Sequence, residues 1–373
     1  MEGEFSHSHE AQEQTVEYEP IPNVEEVFPG GFRLTKGATI LDVPESWAIF
    51  DGQGFLVIDP GGELPIESKE DALSLKPIAA TVTNSLRSHK IDGLRKLLEQ
   101  RQTPITGILL THGDADHTNN LENITDQGVP VYVDRKEWWS TLSPEKQFAA
   151  GAMNFQKSEL TSHDAGSLRN RDAGMQIFAE RANNARGGSD RHARKAALAE
   201  RFHVFPESFE TAGAGRMEVV ALPGHAPGEH GFYLPEQKLF IGGDLITTSK
   251  QGQVDRINVF LPEANVYDAV MSLKKLQAMD IDKYYPAHGS PIIGVENFRE
   301  HIQNLLLDAE TLIERILEQA EQHAHADVHQ LIDFVFTPQF HRAGMVAQSK
   351  KSWIFSVLRD KSMTTDLDEL ATS

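Results

Sequence analysis

The 373-residue chain contains no cysteine. That absence excludes disulfides, thiolate metal ligands, iron–sulfur clusters and a cysteine nucleophile together, so any metal must be held by His, Asp or Glu. No apolar run approaches the ~18 residues that a membrane span needs, and the acidic opening lacks the basic-then-apolar pattern of a secretory signal. The expected location is therefore the cytoplasm. Positive charge is scarce: 35 Lys and Arg stand against 55 Asp and Glu, a net charge of −20. Such a body repels polyanions unless a local basic patch overrides it, which disfavours nucleic acid as a partner. The length corresponds to two or three units at about 150 residues each, ample for a buried core.

Residues 1–24 read as a flexible acidic arm, because the first nineteen carry only negative charges, two His and almost no aliphatics. From about Glu25 the pattern turns to strands, at 38–42, 47–50 and 54–59, with a turn at Asp51-Gly52. Leu94, Leu97 and Leu98 recur at helical spacing before the breaker Pro104, and 105–111 makes a short buried strand. Further strands are expected at 129–133, 217–222, 231–234 and 238–241, which predicts layered α/β architecture. Between about 140 and 210 the pattern is polar and helical, and 157–201 holds nine basic residues against six acidic ones. This is a locally positive insertion in a negative protein. Residues 298–320 form an amphipathic helix through Ile302, Leu305, Leu306, Ala309, Leu312, Ile313 and Ile316. The expected organisation is a main domain over 25–294 and a C-terminal helical region over 295–373.

Just past the strand ending at Thr111 lies His112-Gly113-Asp114-Ala115-Asp116-His117, four potential ligands in six residues. Three more polar groups follow apolar strands: His225, Asp244 and His288. Each is flanked by Gly or Pro, which permit the tight turns that deliver a side chain at the lip of a sheet. A Gly beside both His225 and His288 favours ligands over satisfied core histidines.

This arrangement resembles the metallo-β-lactamase superfamily, whose pattern is an H-x-H-x-D-H loop, a Gly-His, a bridging Asp and a final His-Gly. The resemblance covers roughly 25–293 apart from the basic insertion, and extends to Ile58-Asp59-Pro60-Gly61-Gly62, which is similar to the family's structural Asp turn. It implies an αββα sandwich with a metal site at the sheet edges and one or two divalent ions, Mn, Fe or Zn. His112, Asp114 and His225 would fall on the first ion, Asp116, His117 and His288 on the second, with Asp244 bridging. The implied activity is metal-dependent hydrolysis of an ester, thioester, lactone or phosphoester in a small molecule. The ions would lower the pKa of a bridging water towards neutrality, and Asp116 would orient the resulting hydroxide.

Asp114 departs from the pattern, standing where the family usually has its second His. With His there, two divalent ions, two carboxylates and a hydroxide leave one net positive charge, and Asp114 cancels it. A less positive centre is a weaker Lewis acid, and the added hard oxygen shifts preference from Zn towards Mn or Fe. Asp is also short, so contact through water and a purely structural role are alternatives. The extra carboxylate motivates a rival reading, iron-dependent redox or oxygen chemistry. The flavodiiron branch similarly has a carboxylate here, a Glu, but no flavin-binding region is visible in the C-terminal quarter. A nuclease is a third reading, disfavoured by the net charge and the lack of aromatic-interleaved basic stripes.

The basic insertion joins two motif-bearing strands, so it is expected near the metal edge as a lid favouring an anionic substrate. Tyr284, Tyr285 and His230 are candidate donors to an oxyanion or leaving group. Asp59 reads as a structural acceptor. His323, His325 and His329 read as residues of a polar helix facing water rather than a second metal site.

Overall fold

The computed structural model describes residues 19–35, 44–61, 90–118, 120–124, 128–142, 191–248, 256–259, 263–336 and 347–360. The expected strand at 38–42, the arm up to residue 18 and the insertion over 143–190 lie outside these residues.

Strands β1 (Val24–Phe28), β2 (Gly31–Leu34), β3 (Ser46–Phe50), β4 (Phe55–Ile58), β5 (Ile105–Leu109), β6 (Val131–Tyr132) and β7 (Phe202–His203) form one sheet in sequential order. The first four make an antiparallel meander, and β4 to β7 are parallel. The second sheet contains β8 (Ser208–Thr211), β9 (Gly215–Ala221), β10 (His230–Leu234) and β11 (Leu239–Ile241). A separate antiparallel pair, β12 (Ile246–Thr247) and β13 (Arg256–Ile257), precedes its last members, β14 (Lys283–Tyr285) and β15 (Ile292–Ile293). The order across this sheet is β15-β14-β11-β10-β9-β8.

Side-chain alternation sets the layers. Trp47, Ile49, Leu56, Ile58 and Leu109 pack inward on Met217, Phe232, Leu234, Leu239 and Ile241 of the facing sheet. The intervening Ala48, Phe55 and Val57 point outward onto Leu94 and Leu97 of helix α1 (Lys90–Arg101). With both faces covered, these strands carry nearly continuous apolar runs. Short helices α2 (Ala115–Thr118), α3 (Leu121–Ile124), α4 (Trp138–Leu142) and α5 (Arg191–Glu200) follow the parallel strands. Leu121 and Leu198 join Ile108, Leu110 and Val131 in the core on that outer face.

On the far side of the second sheet, Phe240, Tyr284 and Ile292 share one apolar core with the remaining four helices. These are α6 (Val266–Gln277), α7 (Val295–Gln322), α8 (Val328–Val335) and α9 (Ala347–Asp360). Helix α7 buries Phe298, Ile302, Leu305, Ala309, Leu312 and Ile316, spaced three or four apart. Each fully buried large apolar side chain contributes roughly 1.5–3 kcal/mol. The result is an αββα sandwich in which the C-terminal helices complete the outer layer of the second sheet.

Two features differ from the sequence expectation. Strands β1 and β2 were not anticipated: β1 is an edge strand with Glu25 and Glu26 exposed, the charged character that blunts edge pairing and hides a strand signal. Residues 202–203 and 208–211, read as part of the helical insertion, are strands at the outer edges of the two sheets. They are too short to show a periodicity of their own. Among the described residues no helix is long and apolar enough to cross a membrane.

Candidate metal centre

Strands β4 and β5 run parallel, as do β11 and β14, and β9 shares their sheet's common direction because both it and β11 are antiparallel to β10. Within each sheet these carboxyl ends point one way, and the 3.3 Å contact of His117 Nε2 with Asp244 Oδ1 brings the two sets to one edge of the sandwich, where ligand loops collect in α/β folds. Asp59 follows β4, the 112–117 loop follows β5, His225 lies beyond β9, Asp244 beyond β11 and His288 beyond β14.

All seven sequence-derived candidates are buried at this edge. They fall into two groups. The donor atoms of His112, His225 and Asp244 lie within 4.8 Å of one another, as do those of Asp116, His117 and His288. Asp114 joins the first group, its Oδ2 lying 3.3 Å from His225 Nε2 and 3.5 Å from His112 Nε2. Asp116 Oδ2 is 3.3 Å from His288 Nε2. Asp244 reaches both groups: Oδ1 lies 3.3 Å from His117 Nε2 and 3.5 Å from His288 Nε2, and Oδ2 lies 3.9 Å from His225 Nε2.

Surrounding hydrogen bonds orient the imidazoles. Asp59 takes its backbone into the left-handed region at φ 46°, a strain of about 1–3 kcal/mol for a non-glycine residue. In that pose its carboxylate accepts from the Thr111 N–H at 2.8 Å, the Thr111 hydroxyl at 2.6 Å and His117 Nδ1–H at 2.9 Å. The Thr111 proton is thus committed to Asp59, which leaves its oxygen to accept from His112 Nδ1–H at 3.0 Å. His225 donates Nδ1–H to the Asn258 carbonyl at 2.9 Å. Three rings therefore turn Nε2 toward the common space, the tautomer a ligating histidine needs. Beside His288, Gly289 adopts φ +108°, and a Cβ there would sit 2.0 Å from the Thr248 carbonyl oxygen. Only glycine lets the His288 turn close.

Burying this many charges costs several kcal/mol per ion unless each is compensated. Burial and the neighbouring His117 press the His112 imidazole down, yet the Asp114 and Asp244 carboxylates lift it to about 9. Burial likewise opposes His117, which Asp59, Asp244 and Asp116 raise to about 10, and His225, which Asp114 raises to about 9. Against the effect of burial, the imidazoles hold Asp114 well below the usual carboxylate range, and those of His288 and His117 hold Asp244 low. The pocket thus has a strong demand for positive charge. His112 Nε2, His117 Nε2 and Asp244 Oδ1 are nonetheless buried without a hydrogen-bond partner. Each such atom costs about 1–3 kcal/mol when left unsatisfied. Imidazole nitrogens and carboxylate oxygens, oriented and gathered within 3.3–3.9 Å of one another, are a donor set that fits a divalent cation.

The expected donors to substrate are placed elsewhere. Tyr284 is wholly buried on the helix side of its sheet, stacked between Phe240 and Phe298. Tyr285 packs edge-on against Trp47 between the sheets. His230 donates Nδ1–H to the Gly228 carbonyl and packs its ring on Phe205. His323 lies at the end of α7, its ring stacked on Phe334, and His325 falls in the turn beyond it. Of the three, only His329 lies in a helix, α8.

Two buried glutamates escaped sequence reading. Glu229 accepts from the Leu245 N–H at 2.8 Å, tying the His225 segment to the Asp244 loop, and burial pushes its carboxyl up to about 7. Glu137 accepts from the Gly113 and Gly228 N–H groups. Neither stands in a recognisable motif, and the backbone N–H groups that they bind are ones no sequence pattern displays.

An αββα sandwich with His and Asp converging at one sheet edge defines a class of fold whose lip could hold a cation. The chain belongs to the metallo-beta-lactamase superfamily, whose profile matches residues 41–288. It is similar to "Beta-lactamase-like protein 2 homolog" of Caenorhabditis elegans, 24% identical over 246 residues, covering 64% of this chain and 60% of the worm protein. The match thus spans about three fifths of that relative's length. It is also similar to "Probable metallo-hydrolase YqgX" of Bacillus subtilis, 25% identical over 205 residues, covering 54% of this chain and 65% of that protein. Among solved structures, a beta-lactamase domain protein from Burkholderia ambifaria superposes with a TM-score of 0.58 at 17% identity, covering 91% of this chain and 89% of that one.

Proposed function

We propose that this chain is a metal-dependent hydrolase that cleaves an ester, thioester, lactone or phosphoester in a small molecule. One observation carries the reading: seven side chains from four strand ends meet in a buried space, where the donor atoms of His112, His225 and Asp244 and those of Asp116, His117 and His288 lie within 4.8 Å of one another. His112, Asp114 and His225 would hold one divalent ion, Asp116, His117 and His288 a second, with Asp244 shared. Such ions lower the pKa of water towards neutrality and polarise the oxygen of the bond under attack.

The protein's own part is orientation and proton handling. Fixed Nδ1–H donors keep Nε2 lone pairs aimed at the cations. The Asp116 carboxylate faces the same space, where it orients the attacking water and accepts its proton. Asp114 adds a hard anionic oxygen beside two imidazoles, which favours Mn or Fe at the expense of Zn. The positive balance of the 157–201 segment favours an anionic substrate. Relatives named as probable metallo-hydrolases support the reaction class.

The test is turnover by protein reconstituted separately with Mn, Fe and Zn on a panel of esters, thioesters, lactones and phosphodiesters. Metal-dependent hydrolysis that disappears in Asp116→Ala is the expected result; equal turnover by that variant removes Asp116 from the mechanism. Because Asp114 supplies a third carboxylate, iron-dependent redox chemistry is the second reading. A colourless, manganese-filled and oxygen-insensitive protein that hydrolyses one of these substrates rules it out.

A further inference from the structure

Between the segment that carries His112 and Asp114 and the turn that carries His225 lies a buried carboxylate belonging to neither. Glu137 is 3% exposed and ends the 3-10 turn Arg135–Glu137 that follows β6. Its Oε1 accepts from the Gly228 N–H at 2.8 Å, and its Oε2 accepts from the Gly113 N–H at 3.2 Å. The Ser140 hydroxyl lies 3.1 Å from the same Oε2. Gly113 separates His112 from Asp114, and Gly228 follows His225 by three residues. One carboxylate therefore spans both backbone segments of the first ligand group.

Neither segment has space for a side chain. A Cβ on Gly113 would lie 1.9 Å from Ser140 Oγ, and one on Gly228 would lie 2.8 Å from Glu137 Cγ. The turn is itself fixed, since Asp134 accepts from the Lys136 N–H at 2.8 Å and Lys136 Nζ donates to the Pro227 carbonyl at 3.2 Å. The second group is anchored from the opposite side. His117 is held by Asp59, and its carbonyl accepts from the Gly61 N–H at 2.9 Å.

We infer that Glu137 is a positioning residue for the first ligand group, setting the separation of the His112–Asp114 segment from the His225 turn and thereby that group's cation affinity. This rests on the metal-dependent reading above. Hydrogen bonds to a carboxylate are roughly twice as strong as neutral ones, so the clamp is stiff enough to hold a ligand spacing. Loss of an outer partner bonded directly to a ligand typically costs about 10–100-fold in metal affinity, and a clamp on the ligands' backbone should act at the lower end of that range.

Manganese(II) titration of the full chain, read by the EPR signal of free ion, isolates the effect in two backgrounds. His288→Ala leaves the first group intact, and His225→Ala leaves the second. Glu137→Gln keeps the volume but replaces one acceptor oxygen with a donor. It is expected to weaken binding about tenfold or more in the His288→Ala background and to leave binding unchanged in the His225→Ala background. Gly228→Ala, which drives a methyl against Glu137 Cγ, should reproduce the pattern by a second route. Equal loss in both backgrounds, or no loss in the first, overturns the inference while the metal reading stands. A wild-type chain that binds no manganese overturns both.

Discussion

In the first ligand group His225 donates its Nδ1–H to a neutral backbone carbonyl, that of Asn258, whereas in the second His117 donates to the Asp59 carboxylate at the same 2.9 Å. Both groups carry a carboxylate beside the rings, Asp114 within 3.5 Å of two Nε2 atoms in the first and Asp116 at 3.3 Å from His288 Nε2 in the second. The second adds another behind a ring, Asp59 at His117 Nδ1. A carboxylate behind an imidazole raises the basicity of its ligating nitrogen, whereas a carboxylate beside it offers an oxygen to the cation directly. The two halves thus offer the same kinds of donor atom and differ in the charge behind the ring, so the second should hold its cation the more tightly.

The largest effect is expected where the halves meet. Asp244→Ala removes the carboxylate that, among the described residues, faces both, so metal content by elemental analysis should fall at both groups and turnover should vanish. Retention of full metal content would show that Asp244 is not shared. Next, Asp59→Asn deletes the anionic brace of His117 and leaves buried donors short of an acceptor. Unfolding free energy should drop by about 1–3 kcal/mol, and affinity should fall about 10–100-fold at the second group and by less at the first, which Asp59 reaches only through Thr111 and His112. Similar losses at both groups would erase the distinction drawn here.

A smaller change is expected from Asp114→His, which restores the more positive centre. The ratio of Zn to Mn affinity at the first group should rise, and the reverse ordering would show that charge is not what decides selectivity. The pH dependence of the metal-free protein is subtler. His112 and His225 are raised to about 9 and His117 to about 10, above the ordinary 6.5. Groups raised on folding stabilise the folded state fully below about 6.5, and that contribution fades as pH climbs through 9 to 10. Melting temperature of metal-free protein should therefore decline over that window, while metal affinity increases because binding no longer has to displace protons. A flat profile for both would contradict the electrostatic description. Smallest of all, His323→Ala should leave metal content untouched and cost only its stacking on Phe334, about 0.5–1.5 kcal/mol.

What could be read in advance divides along physical lines. The 112–117 loop was legible because four ligand-type residues in six positions, after an apolar strand, have few other uses. The same holds for the long periodic helix α7. Strands β7 and β8 were missed because two- and four-residue edge strands cannot display a period. The directions of Tyr284 and Tyr285 were undecidable because adjacent strand residues face opposite ways, and only the register with β11 assigns the faces. Glu137 and Glu229 were invisible for a different reason: the backbone N–H groups that they hold are brought close only by the fold.

The central claim is tested most directly by anomalous scattering from crystals of the full chain grown with manganese. The account requires a peak among His112, Asp114 and His225, a second among Asp116, His117 and His288, or both, with Asp244 in contact. A well-ordered pocket without any anomalous peak at saturating manganese would contradict it.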